Sequence, residues 1–174
     1  IKHMRSRVEQ EQREFDMSGA RIHAMRSVHV KLLREVFDLL GTPGLKAVMA
    51  SLTSALRQPG IKLGARKAYG ETFQKLRGQL RQAQTTGADI QTMLAGTFRQ
   101  LNAEYGFSLQ VPKEPELARY ERDLELIGRS HEQYLGFGHV LRLAQPEFAD
   151  RLVRALARRL RVMFESALGE VELW

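Results

Sequence analysis

The stretch from Pro146 to Trp174 constrains the fold most strongly, because its apolar residues recur at steps of three and four. That spacing places them on one face of a single long α-helix. The proline suits a first helical turn, and two carboxylates follow it at the positive end of the helix dipole. An apolar face of this length must be covered by other elements of the fold. Its residues are Phe148, Leu152, Leu156, Leu160, Met163, Ala167, Val171 and Trp174.

A second stripe on the same predicted helix is cationic and consists of Arg151, Arg154, Arg158 and Arg161. These arginines are candidate contacts for an anionic membrane surface or for the acidic face of a partner helix. The alternative is a solvated face with intrahelical ion pairs from Glu147 to Arg151 and from Asp150 to Arg154. Nucleic acid is an unlikely partner, because no aromatic residue interleaves with the basic ones as a stacking platform requires.

The residues at the two ends of the chain lead to expectations about where the natural domain begins and ends. No Gly or Pro follows the apolar pattern at Glu172-Leu173-Trp174, which favours a fragment of a longer protein whose helix continues. A frayed end of an ordinary small protein is the alternative. At the other end, residues 1–4 include His3-Met4 and are typical of a cloning remnant. We therefore expect a single helical domain over residues 5–174.

The first part of the chain predicts two helices. From Met4 to Leu40, apolar residues recur at steps of three and four, and Ser18-Gly19 is a candidate break in this helix. Before that break the pattern is sparse and charged, so the first turns are expected to project from the body. Gly41 predicts the end of this helix, and Thr42-Pro43 predicts the N-cap and first turn of a short helix that ends at Arg57.

The middle of the chain predicts further helices from Ile61 to Gln84, from Ala88 to Tyr105 and from Glu116 to Leu135, with a turn at Gln58-Pro59-Gly60 and a loop at Thr85-Thr86-Gly87. Between them, Phe107 to Pro115 alternates apolar and polar residues and contains two prolines, which predicts a docked extended segment. Gly136-Phe137-Gly138 is either a hinge before a short helix to Leu143 or part of one closely packed helix. The fold class is therefore all-α: an elongated antiparallel bundle of about six helices with one short extended, Pro-containing segment.

The sequence carries no signature of catalysis. Gly41 to Lys46 superficially suggests a phosphate-binding loop, but it fails the required spacing and is preceded by a predicted helix. There is no cysteine and therefore no thiolate chemistry or disulfide. We predict that the chain is not an enzyme and that it binds no cofactor and no metal ion.

The histidines lack the spacings of di-iron bundles and zinc proteases. His131 lies on the apolar side of its predicted helix, which is typical of a core or interface histidine with a hydrogen-bond partner. Glu121 and Glu125 form an i, i+4 pair, best interpreted as a solvated face near arginines. The formal net charge is +7, but the positive residues are spread along the chain. This spread weakens the case for any particular anionic partner.

Three stretches of this sequence resemble the helical region downstream of the GTPase domain in proteobacterial dynamin-like GTPases. They are Arg66-Lys-Ala-Tyr-Gly-Glu-Thr-Phe73, Thr97-Phe-Arg-Gln-Leu-Asn-Ala-Glu-Tyr-Gly-Phe107 and Tyr134 to Trp174. The resemblance covers most of the chain from about Ser27 onward, and it rests on a pattern of aromatic residues and glycines.

The resemblance implies a non-catalytic stalk or assembly module that lacks its GTPase domain. Its partners would be further copies of itself, or the GTPase part of the same protein, with membrane remodelling as the family activity. It would lie in the cytoplasm or peripherally at the inner membrane. The alternative is a free-standing basic helical protein that binds an anionic membrane surface or an acidic partner.

Overall fold

The computed structural model describes residues 2–58, 64–136, 139 and 142–174, and within these ranges every regular element is helical. The fold is all-α, as the apolar periodicity predicts. A short 3-10 turn, Gln133–Leu135, extends the fourth helix. The helices are α1 Lys2–Leu40, α2 Thr42–Leu56, α3 Ala65–Tyr105, α4 Ala118–Glu132 and α5 Pro146–Leu173.

The helices are arranged as four rods, because α1 and α2 follow one another along the same neighbour, α3. The remaining contacts complete a ring, since α3 packs on α4, α4 on α5, and α5 on α2. Neighbouring residues at two heights show that α1 and α3, α3 and α4, and α4 and α5 run antiparallel, as the sequence predicts. In that order, the neighbours are Arg21 and Glu104 with Val36 and Ala83, Arg81 and Glu121 with Phe73 and Gly128, and Tyr120 and Glu170 with Ser130 and Arg159.

The junction between α1 and α2 depends on two glycines. The amide of Gly41 donates to the carbonyl of Phe37 at 2.7 Å and closes α1. One turn later, a Cβ at Gly44 would lie only 2.6 Å from the carbonyl oxygen of Asp38. Such a contact is sterically excluded, so the close passage of α2 past the end of α1 requires a residue without a side chain. The N-cap of α2 is Gly41, one residue before the predicted Thr42.

The core runs along the inside of the four rods. Val36 and Leu40 from α1 and Leu52 from α2 meet side chains from each of the other helices. Phe164 of α5 is the largest of the fully buried side chains, at 1% exposure. Burial of such side chains is worth about 1.5–3 kcal/mol each, which makes this seam the main source of stability. The other large side chains with less than 2% exposure are Leu76, Leu80, Ile90, Leu124, Leu156 and Leu160.

The predicted number of helices, about six, is wrong. The loop expected at Thr85-Thr86-Gly87 is helical, so two predicted helices form the single 41-residue α3, about 62 Å long at 1.5 Å per residue. Thr86 and Gly87 are buried, and the hydroxyl of Thr85 donates to the carbonyl of Arg81. Packing along α1 and α4 outweighs the weak helix propensity of these residues. The break expected at Ser18-Gly19 is also absent, since α1 is continuous there.

The segment between α3 and α4 is non-helical, as its prolines predict. It is held to α3 by side-chain amides. Asn102 accepts from the amide of Leu109 at 2.9 Å and donates to the same residue's carbonyl at 3.0 Å, and Gln91 donates to the carbonyl of Pro112 at 2.9 Å. Phe107 and Leu109 remain exposed, so hydrogen bonds rather than apolar burial dock this segment.

Two long predictions are confirmed. In α5 the predicted apolar stripe is buried from Leu152 to Val171, and in α4 the predicted inward residues from Leu117 to Leu135 are all buried. The turn at Gln58-Pro59-Gly60 and the hinge at Gly136-Phe137-Gly138 lie largely outside the described residues.

Candidate interaction surfaces

The first half of α1 projects from the body. Every side chain from His3 to Met17 is exposed, and we call residues 3–17 the free segment. Contact with the body begins at Ser18, whose hydroxyl meets that of Tyr105 at the end of α3, and continues at Arg21, 3.6 Å from Glu104. The prediction that the first turns project is confirmed, and the reason is that α3 ends where the free segment begins.

The free segment carries an uncovered apolar stripe. Met4, Val8 and Phe15 are 75%, 60% and 73% exposed. Their spacing continues the spacing of Ser18, Met25, His29, Leu32 and Val36, which are half-buried or buried against the body. Exposed apolar residues at such regular spacing are typical of an interaction surface rather than of scattered surface residues.

The four candidate arginines of α5 are all exposed, and none of them forms an ion pair with another described residue. The ion pairs considered for Arg151 and Arg154 are not formed. The Nε of Arg151 donates instead to the carbonyl of Glu147 at 3.3 Å, and that of Arg154 to the carbonyl of Asp150 at 3.2 Å. A guanidinium that folds back on its own helix satisfies a backbone acceptor and leaves the carboxylate in water.

The structure does not keep the four arginines together as one site. Arg151 lines an open cleft between α4 and α5, and Arg161 lines a different pocket of about 270 Å³ against α2. Arg154 and Arg158 line neither of these. The residue missed from the sequence is Arg159, which faces the cleft because it lies on the opposite flank of the helix from Arg161.

The cleft has a volume of about 510 Å³ and combines cationic walls with an apolar floor. Arg159 is oriented by a hydrogen bond of 2.5 Å from its guanidinium to the hydroxyl of Ser130. None of the described lining residues is acidic. The lining residues are His131, Tyr134, Arg142, Phe148, Arg151, Leu152, Ala155 and Arg159.

His131 is buried at the inner end of this cleft, at 3% exposure. Its ring stacks on Tyr69 with centroids 6.4 Å apart and meets Tyr134 edge-on at 6.0 Å. The predicted core position is confirmed, but its Nδ1 has no hydrogen-bond partner among the described residues. Burial, and then the positive charge of Arg159, lower the pKa of His131. Burial likewise raises the pKa of Tyr69.

The carboxylate pair on α4 is used in ion pairs. Glu121 accepts from Arg81 of α3 at 3.1 Å, and Glu125 accepts from Arg129 at 2.6 Å. These contacts agree with the predicted partly solvated face close to arginines. Partly exposed pairs contribute about 0–1 kcal/mol, so they orient α3 and α4 rather than hold them together.

A second network, which the sequence did not predict, fastens the start of α4 to the end of α5. Glu170 accepts from the hydroxyl of Tyr120 at 2.9 Å and also from the guanidinium of Arg119. Arg119 lies 4.8 Å from the centre of the Tyr120 ring. Burial is the main cause that raises the pKa of Tyr120. Partners fifty residues apart leave no periodic signal in a sequence.

Two general searches of the described residues bear on function. No helix in the described ranges is both long enough and apolar enough to cross a bilayer. No group of three His, Asp or Glu side chains in the described residues is arranged to hold a metal ion.

Comparison with protein-family models, with curated proteins and with solved structures gives no match for this chain. The function must therefore be argued from the two surfaces described above, the free segment of α1 and the cationic side of α5.

Proposed function

We propose that this chain is a non-catalytic helical assembly module that associates with a second copy of itself through the free segment of α1. As the resemblance to dynamin-like GTPases implies, such a module would act as part of a stalk coupled to a GTPase domain in membrane remodelling. The observation that carries the proposal is the uncovered apolar stripe of α1, which continues in register the stripe that packs on the body.

The register of α1 is that of a two-stranded coiled coil. The positions of this seam alternate at steps of four and three from the free segment to the end of the packed half, although Ile22 in the packed half is 42% exposed. The packed half uses this seam against α3, so the same seam in the free segment is shaped to receive another helix. The positions are Met4, Val8, Glu11, Phe15, Ser18, Ile22, Met25, His29, Leu32 and Val36.

The order of residues on this seam favours an antiparallel pair. In a parallel pair in register, Glu11 would face Glu11 of the second copy inside the seam, and like charges there repel. In an antiparallel pair about the midpoint of residues 3–17, Glu11 instead lies beside Val8 of the second copy, and Phe15 lies beside the start of its free segment. The two bodies then sit at opposite ends of the pair, so neither obstructs the other.

The flanking charges point to the same orientation. Arg7 and Glu14 occupy the flanking position that faces its own counterpart in an antiparallel pair, so Arg7 of one copy meets Glu14 of the other. Because the pair is symmetric, the contact occurs twice. The remaining flanking residues, Arg5 and Gln12, bring no like-charge conflict. Charge complementarity therefore supports a second copy of this chain as the occupant.

The interface is small, and its strength follows from its size. Two apolar side chains from each copy, Val8 and Phe15, at about 1.5–3 kcal/mol each, give roughly 6–12 kcal/mol. Loss of translational and rotational freedom costs about 4–15 kcal/mol. Because these two ranges overlap, we expect weak, concentration-dependent association, which suits an assembly strengthened by several contacts at once.

The direct test is sedimentation equilibrium of the chain and of two matched variants. Phe15→Gln removes an apolar residue from the stripe, whereas Met17→Gln removes an exposed apolar residue from the same segment outside it. In a symmetric dimer each substitution is present in both copies, so its effect on the interface is doubled. Phe15→Gln should therefore weaken dimerisation by tenfold or more, and Met17→Gln by less than about twofold. Equal effects of the two variants, or a monomer at all concentrations, would contradict the proposal.

Orientation is tested by exchanging the flanking charges. Arg7→Glu and Glu14→Arg should each weaken the dimer, because each places like charges across the pair. The double variant should recover most of the lost affinity, since it restores opposite charges in the exchanged positions. A double variant as weak as the sum of the two single ones would reject the antiparallel pair while leaving self-association itself open to the previous test.

A second candidate function is binding to an anionic membrane surface through the arginines of α5. The observation in its favour is that all four are exposed and outside any ion pair in the described part of the chain. Flotation with anionic and neutral vesicles should show binding that depends on anionic lipid and is lost at high salt.

The control for this test is a variant with the same charge loss elsewhere on the surface. Replacing the four arginines of α5 with Gln should abolish flotation if they form the contact, while the control should bind nearly as the original chain does. Unchanged flotation of the α5 variant would reject this function. The control positions, all exposed, are Arg34, Arg99, Lys113 and Arg122.

A further inference from the structure

The cleft between α4 and α5 concentrates positive charge in one place. Arg142, Arg151 and Arg159 line it together, and no acidic side chain is among its described lining residues. None of the three arginines forms an ion pair with a described residue. Three like charges gathered at one cleft favour an anionic ligand over a neutral or cationic one.

Two of these guanidinium groups are already oriented. Arg159 is held by Ser130 at 2.5 Å, and Arg151 by the carbonyl of Glu147 at 3.3 Å. Each of these bonds uses one N–H and leaves further donors of the planar group free. A guanidinium fixed in this way loses less entropy when it binds an anion than one that moves freely.

A buried polar side chain independently marks the cleft as more than an exposed basic patch. His131 lines the cleft and is only 3% exposed to solvent. Its Nδ1 has no hydrogen-bond partner in the described part of the chain. Tyr69, stacked on its inner side, also has a buried hydroxyl without a described partner. Such groups are uncommon in protein interiors and are often found at functional sites.

We propose that this cleft binds a phosphate-type dianion that carries a small apolar group, with Arg151 and Arg159 as its principal contacts. A phosphate dianion suits several planar guanidinium groups at once, because each group can donate two parallel hydrogen bonds to its oxygens. The apolar part of the ligand is placed by the floor of the cleft, formed by Phe148, Leu152 and Ala155. A headgroup-sized ligand fits the volume of about 510 Å³.

This binding site goes beyond the proposed self-association and is separate from it in space, because the free segment of α1 contributes no residue to the cleft. It also differs from the uniform arginine stripe that the sequence suggests. Arg159 belongs to the site, whereas Arg154 and Arg158 do not line it. The cleft and the uniform stripe therefore predict different results when two arginines are replaced. Only the cleft predicts that replacing the arginines that line it weakens binding more than replacing two others.

Calorimetric titration with inorganic phosphate and with butyl phosphate, at constant ionic strength, tests the site. The double variant Arg151→Gln/Arg159→Gln should lose about tenfold or more in affinity, as expected for lost charge-assisted hydrogen bonds. The matched control Arg154→Gln/Arg158→Gln carries the same charge loss on the same helix and should change affinity by less than about twofold. Circular dichroism confirms that both variants fold.

The source of the phosphate group is distinguished by vesicles. Vesicles of phosphatidic acid in phosphatidylcholine should bind the original chain and the control but not the site variant if the group belongs to a lipid. Saturable binding of butyl phosphate without vesicle binding supports a dissolved ligand. No saturable binding of any probe, or an equal loss in both double variants, would overturn the proposal, and neither result affects the sedimentation test of self-association.

Discussion

The two halves of α1 have the same repeat and different surroundings. In the second half, Val36 is 1% exposed, because α3 and the other rods cover the seam. In the first half, Phe15 on the same seam is 73% exposed. Periodicity therefore identifies the apolar face of a helix, but the length of the neighbouring helix decides how much of that face is buried.

The end of α3 is a defined stop. Gly106 adopts a left-handed conformation with φ of 68°, and its amide donates to the carbonyl of Asn102 at 2.9 Å. A residue with a side chain is strained in that conformation, which makes glycine the usual helix terminator. If α3 continued beyond this point, it would cover the free segment. The stop at Gly106 thus creates the exposed surface on which the proposed assembly depends.

The largest expected difference in stability between covered and uncovered positions comes from substitution of two phenylalanines. Phe164→Ala should lower the free energy of unfolding by about 3–5 kcal/mol, because it leaves a cavity in the core. Phe15→Ala should change the stability of the monomer by less than about 0.5 kcal/mol. Urea unfolding at low protein concentration measures both. A large loss from Phe15→Ala in the monomer would show that the free segment is packed after all.

Substitution of two glycines should change the free energy of unfolding by smaller amounts and in opposite directions. Gly44→Ala should destabilise by about 1–3 kcal/mol, because its Cβ would lie 2.6 Å from the carbonyl oxygen of Asp38. Gly19→Ala should stabilise by up to about 1 kcal/mol, since a Cβ there meets nothing within 4 Å and alanine favours the helix. Thermal unfolding followed by circular dichroism compares them. Stabilisation by both variants would contradict the close passage of α2 past α1.

The smallest expected effect is a dependence of stability on pH that comes from the buried His131. Below about pH 6.5, the ordinary pKa of histidine, the unfolded chain binds a proton at His131 that the folded chain does not, because the folded pKa is lowered. The unfolded state then binds more protons, so stability falls as the pH decreases from about 6.5 towards the folded pKa, and this contribution vanishes above that window.

The measurement is urea unfolding from about pH 5 to 8, a range that spans the ordinary histidine pKa. His131→Gln should reduce the slope of stability against pH, whereas the non-titratable change Gln74→Asn, at an exposed position of α3, should leave it unchanged. Identical slopes for the original chain and His131→Gln would show that burial of this imidazole does not oppose its protonation.

The sequence predicts best where one strong periodic signal is enough. The buried face of α5, the inward side of α4 and the projecting start of α1 all follow from spacing and charge. The loop expected at Thr85-Thr86-Gly87 failed because local propensity is weaker than packing along a 41-residue helix. The break expected at Ser18-Gly19 failed for a related reason, since α3 supports α1 from Ser18 onward.

The sites are less predictable than the helices. The sequence placed four arginines on one face of α5, and the structure keeps them exposed but divides them between different surroundings. Arg159 was not predicted, because its importance depends on Ser130 and His131 of another helix. Contacts between helices of distant sequence position have no signature in one chain, whereas the spacing on a single helix does.

The antiparallel contact between α1 and α3 has a mechanical consequence. A pull on the free segment acts along the axis of α1, parallel to its seam with α3, so it loads the packed side chains in shear and all at once. Separation by peeling would instead break them one after another at lower force. A rod attached in this way resists tension better than its number of contacts alone would suggest.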